Sequence, residues 1–117
     1  MDRYDRRLRI YEEIRSILSI VMRDGKASTE ELLRFRRAVS EADFLFGPEI
    51  ASYIDEIYKS GLKLRRWREE YRDYTQPQPP GYDHKKVVEE MHKEMNWLVG
   101  QFEPAKDKFR KYLDISQ

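Results

Sequence analysis

At 117 residues with 38% charged and 13% aromatic side chains, the chain has the length of one domain and too many rings for a disordered one. Twenty-three Lys and Arg against 22 Asp and Glu leave a net charge of +1, so no overall field draws it to nucleic acid or anionic lipid. Without cysteine it has no disulfide framework, thiolate zinc site or thiol nucleophile, and no apolar run approaches the ~20 residues of a membrane span.

The first helix is expected over about 3–23. Tyr4, Leu8, Tyr11, Ile14, Leu18 and Val21 recur by fours and threes, with Ile10, Ile17 and Met22 widening the stripe. Asp24-Gly25 supplies the stop. Arg3, Arg6, Arg7, Arg9 and Arg15 lie on the opposite face and read as solvated; Glu12 and Glu13 interrupt any lipid-binding surface there.

Ser28-Thr29-Glu30-Glu31 is a capping box that starts a second helix over about 29–46, with Leu32, Phe35, Val39, Ala42 and Phe46 as its apolar stripe. Gly47-Pro48 ends that helix and starts the next, predicting a corner with almost no loop. The window from Ala42 to Ile50 is the densest apolar cluster, and Phe44, Leu45 and Phe46 are expected to close the second helix.

The third helix is predicted over about 48–74, carried by Ile50, Ile54, Ile57, Gly61, Leu64, Trp67 or Arg68, Tyr71 and Tyr74. It would be the spine of the fold, ~40 Å long at 1.5 Å per residue. Gly61 on its apolar stripe predicts a close helix crossing. Residues 75–82 form a linker with three prolines among residues 77–80, a composition that favours polyproline II. Asp83 caps a fourth helix over about 84–102, with Val88, Met91, Met95, Leu98 and Phe102 as its stripe. Pro104 is expected to break it before a short helix over about 105–113, which offers Phe109, Tyr112 and Leu113. The fold class is therefore all-α: an antiparallel bundle of four main helices plus a short terminal one, in a single domain over 1–117.

Chemistry has few footholds. Glu89-Glu90-Met91-His92 holds the Glu-x-x-His spacing of di-iron bundles, but such sites need two pairs and this chain has one. Glu89 and His92 remain the weak metal candidates, and no cofactor is implied. Lys63, Arg65, Arg66, Arg68 and Arg72 interleave with Trp67 as in a base-stacking patch. Glu69, Glu70 and Asp73 offset that charge and disfavour nucleic acid as a partner. Neither a nucleophile elbow surrounds any serine nor does a Gly-rich phosphate loop occur. Trp67, Tyr71, Tyr74 and Tyr82 beside the proline linker, with Arg65, Arg66 and Arg68, form the most plausible protein-contact surface, for a partner or for self-association. The reading is of a non-enzymatic interaction module in a reducing cytoplasm, with metal binding and weak nucleic-acid binding as its rivals.

Tyr4–Tyr11, Arg23-Asp24-Gly25-Lys26, Ser40–Ile50 and Tyr53–Ile57 together resemble a family of small uncharacterised bacterial proteins. The resemblance covers about 4–64 well and the C-terminal third loosely. It implies a helical domain held at the cytoplasmic face of a membrane by one N-terminal helix, and it implies no activity. This chain departs from that pattern in having no membrane helix ahead of Tyr4. The expectation is a soluble piece with Met1 as an added start, or a naturally soluble variant, so contact with a membrane would come only through a segment absent from this sequence.

Overall fold

A computed structural model describes residues 2–114; Met1 and residues 115–117, the ends of the expected domain, lie outside the described residues. The described chain is all-helical: α1 Arg3–Asp24, α2 Thr29–Ala38, α3 Ala42–Leu45, α4 Pro48–Glu70, α5 His84–Val99 and α6 Phe102–Phe109. α4 packs on α2, α3 and α5, while α1 packs on α2, α3, α5 and α6.

Local chemistry sets the boundaries. Asp2 accepts from the Asp5 amide at the start of α1, and Gly25 ends it with φ 76°. Arg68 Nε on α4 donates to the Gly25 carbonyl at 3.0 Å. Both halves of the Ser28–Glu31 capping box form. Gly47 is extended and Pro48 opens α4, so the near-loopless corner expected at 46–48 is there, between α3 and α4.

Several expectations change. The second helix stops at Ala38 rather than running to 46. Val39 and Ser40 have weak helix propensity, and tighter bonds (Ser40 to Arg37 at 3.3 Å, Ala42 to Val39 at 3.1 Å) turn the chain before the one-turn α3. That turn buries Ala42, Leu45 and Phe46 but leaves Phe44 82% exposed, outside the cluster it was expected to close. The spine ends at Glu70, not Tyr74, because Tyr71 is extended and the Arg72 guanidinium caps the carbonyls of Glu69, Glu70 and Tyr71. α5 stops at Val99, and Pro104 lies inside the first turn of α6 instead of preceding it. A first-turn proline gives up no helical hydrogen bond. Residues 110–113 are turns, with Leu113 still buried.

The core follows the stripes of α1 and α4, with Ile14, Leu18, Ile50, Ile57 and Leu64 essentially inaccessible. Met22, placed in the stripe from sequence, is instead exposed. Phe109 fills the end near the corner, its ring 5.2 Å from Tyr11 and 5.0 Å from Phe46. Arg7, assigned to the solvated face, sits over Phe46 and Tyr112 and donates from Nε to the Leu45 carbonyl at 2.7 Å. Arg6 pairs with Glu41 and Arg34 with Glu13, joining α1 to α2 and the turn that follows it.

Gly61 faces Leu32 across the α2–α4 contact, and an added Cβ would lie 2.6 Å from Leu32 Cδ2. Leu32 is itself enclosed, so the helix gain of alanine, about 1 kcal/mol, is set against overpacking of about 1–3 kcal/mol. Gly61→Ala is expected to cost a net ~1 kcal/mol in urea unfolding; a stabilised variant would mean Leu32 has room to turn away.

Glu49, at the start of α4, accepts from the Tyr112 hydroxyl and from its own amide, and pairs with Lys111 at 3.3 Å. In that order these hold its carboxyl near pKa about 2, below the ordinary 4.5. A depressed carboxyl stabilises the fold above its unfolded pKa, so this tie is complete above about pH 4.5 and is lost as pH falls towards 2. An NMR titration should place Glu49 near 2 and find it moved back towards 4.5 in Tyr112→Phe; an unmoved midpoint would exclude the hydroxyl as the main cause.

Candidate functional site

The residues singled out from sequence gather where α4 ends, the linker begins and α5 starts. The geometry divides them. Trp67, Tyr71 and Tyr82 are half-buried and packed against the core. Tyr74 is 97% exposed. Arg65 pairs with Glu69 at 2.8 Å, and Arg66 lies over the Trp67 ring and 3.5 Å from Glu70. Arg68 is spent on the end of α1 and Arg72 on the end of α4. Of the expected basic patch, only Lys63 makes neither an ion pair nor a side-chain hydrogen bond among the described residues. The cations act as caps and helix-surface pairs, which leaves no row of free guanidinium groups to hold phosphates.

The linker is built by side-chain-to-backbone bonds. The Asp73 carboxylate accepts from the Thr75 amide at 2.8 Å and from its hydroxyl, and the Gln76 amide donates to the Asp73 carbonyl at 3.1 Å. At the far end the Tyr82 amide donates to the Pro79 carbonyl at 3.1 Å, in a turn that passes through Gly81 at φ 78°. The two ends are then pinned together. The Tyr82 hydroxyl accepts from the Arg72 amide at 2.9 Å and lies 3.2 Å from the Arg72 carbonyl and 3.0 Å from His84 Nδ1, where its one proton can be donated. The His84 ring lies 5.6 Å from Tyr71 and 5.8 Å from Tyr82. Between Trp67 and Glu70 on one side and the Pro79–Asp83 turn on the other runs an open groove of about 520 Å³.

The metal candidates lie elsewhere on α5. Glu89 and His92 are both exposed, and Glu89 sits 4.0 Å from Lys85. Among the described residues no group of three or more His, Cys, Asp or Glu comes together. The pair therefore gains no third ligand from the fold.

Sequence reasoning missed two features. Phe44 is one, its exposure depending on the unforeseen turn at 39–41. The other is Glu94, buried between α5 and α4, where it accepts from the Ser60 hydroxyl at 2.8 Å. The buried positions of α5 are Val87, Met91, Glu94 and Leu98. Their four-three-four spacing was available in the sequence, with Glu94 as the polar member of the repeat.

No protein-family model, curated protein or solved structure matches the chain. Among the described residues, no helix is long and apolar enough to cross a membrane.

The Tyr82 hydroxyl is the clasp of the linker, so Tyr82→Phe leaves the Arg72 amide without its acceptor. A hydrogen bond of this kind contributes about 1 kcal/mol, and exchange of the Arg72 amide should quicken by roughly fivefold. Unchanged exchange would assign the closure to the turns alone.

Proposed function

We propose that the chain is a non-enzymatic helical interaction module whose contact surface is the linker end of α4 and α5. The body is read as an antiparallel bundle of α1, α2, α4 and α5. Its support is that later residues of one helix meet earlier residues of the next: Arg6 with Glu41 and Glu13 with Arg34, then Tyr53 with Gln101 and Ser60 with Glu94. A cross-section of 27 by 23 Å is two helix diameters each way.

The observation that carries the functional reading is Tyr74. A 97% exposed ring stands on a loop held by hydrogen bonds at both ends. An aromatic side chain kept in water by an ordered backbone offers contact area at little further entropic cost. Protein is the favoured partner because the nearby arginines are engaged within the chain. Tethering at the inner face of a membrane belongs to the same proposal and is supported by the family resemblance alone.

Replacing Tyr74 with a photo-crosslinking phenylalanine analogue tests it in cells that carry the native gene. A discrete adduct is expected from position 74 and none from Asp107, which lies on α6. No adduct at 74, with a monomer throughout a sedimentation concentration series, would refute the module reading.

A further inference from the structure

We infer that residues 77–80 are a docking strand for a partner domain that reads polyproline II helices in an aromatic-lined groove. The inference rests on the interaction-module reading and specifies the class of partner.

Pro77-Gln78-Pro79-Pro80 is fixed in shape by covalent chemistry. Each proline ring locks its own φ, and the residue before a proline is forced into extended geometry. Gln76, Gln78 and Pro79 all precede a proline, so the restriction covers the whole strand. In a polyproline II helix three residues make a turn, which places Pro77 and Pro80 in line on one ridge, ~9 Å apart. Every residue from Tyr74 to Gly81 is exposed, so the strand is not packed into the body. Neither the Gln78 amide nor the carbonyls of Pro77 and Gln78 take part in a hydrogen bond among the described residues. An aromatic-lined groove matches this strand, with ring faces for the prolines and indole or phenol donors for the free carbonyls.

The strand is also held ready. The Asp73–Gln76 turn and the Pro79–Tyr82 turn fasten its ends, and the Tyr82 hydroxyl closes the loop onto Arg72. Much of the ordering cost of binding has therefore been met in the free protein. A reader of prolines fits better than a reader of proline followed by tyrosine, since Tyr82 is turned back and tied to α4. A second copy fits poorly. Trp67 and Tyr82 do line a groove, but one wall of it is the chain's own Pro79–Asp83 turn, and Tyr74 does not line it.

Titrating purified SH3, WW and EVH1 domains into the full ¹⁵N-labelled chain tests the inference. At least one SH3 or EVH1 domain should shift the Gln76 and Gln78 amides. The double variant Pro77→Ala/Pro80→Ala should weaken that binding by at least about tenfold, with the helical circular dichroism unchanged. The inference is overturned if neither an SH3 nor an EVH1 domain moves Gln78, whatever the WW domains do, or if binding survives the double variant. It is also overturned if the strand's signals move only with concentration of the chain itself. A crosslink at position 74 together with any of these results would leave the module reading standing and remove the proline-reading partner.

Discussion

The double burial of α4 is the constraint on which the rest of the structure depends. Ile50, Tyr53, Ile54, Ile57, Ser60, Gly61 and Leu64 are all buried, and they face α2 on one side and α5 on the other. A helix covered on two sides cannot slide without breaking both contacts. Its ends are therefore fixed points from which the chain must turn, and the chemistry at each end is heavily specified. At the start, the extended Phe46–Gly47 segment feeds Pro48 while Arg7 grips Leu45 and Phe46. At the finish, Arg72 and Tyr82 cap and clasp.

Within that helix pair, Ser60 and Glu94 work against stability. A carboxylate beneath the surface with one hydroxyl partner is a poor substitute for leucine in a repeat of Val87, Met91 and Leu98. It does fix register. Only the alignment that sets Ser60 against Glu94 satisfies the carboxylate, and the same alignment brings Tyr53 to Gln101 at 2.9 Å. A slip of one turn would break both bonds. The loop from α4 to α5 inherits its geometry from this alignment.

The all-helical class, the capping box and the corner were legible because each depends on residues close in sequence. Ser28 and Glu31 satisfy one another, and Gly47-Pro48 acts through dihedral limits alone. The ends of α2 and α4 were not legible: Val39 and Ser40 are only weak helix formers, and Arg72 caps through a side-chain conformation that spacing does not show. The turn after Ala38 brings Phe46 to within 5.0 Å of Phe109 and buries Leu45, a pairing between distant parts of the chain that local sequence does not announce. Just after the extended Tyr71, the Arg72 amide is taken up by the Tyr82 hydroxyl ten residues further on. The candidate site was legible by place and not by role. Trp67, Tyr71, Tyr74, Tyr82 and the arginines do gather at one end, yet no periodicity could separate a ring used in packing from one left in water.

That separation decides the chemistry of the surface. A charged patch attracts partners only through charges that the fold has not already used. Arg65, Arg66, Arg68 and Arg72 are each engaged, at distances from 2.8 to 3.5 Å, by a carboxylate or carbonyl of their own chain. Freeing any one of them for a phosphate would unmake a helix-surface pair or uncap a helix. The prolines carry no such obligation. They make no hydrogen bond as donors, their shape is set by their own rings, and they already stand in solvent. On the interaction-module proposal, recognition at this end would rest on shape and apolar contact rather than on charge.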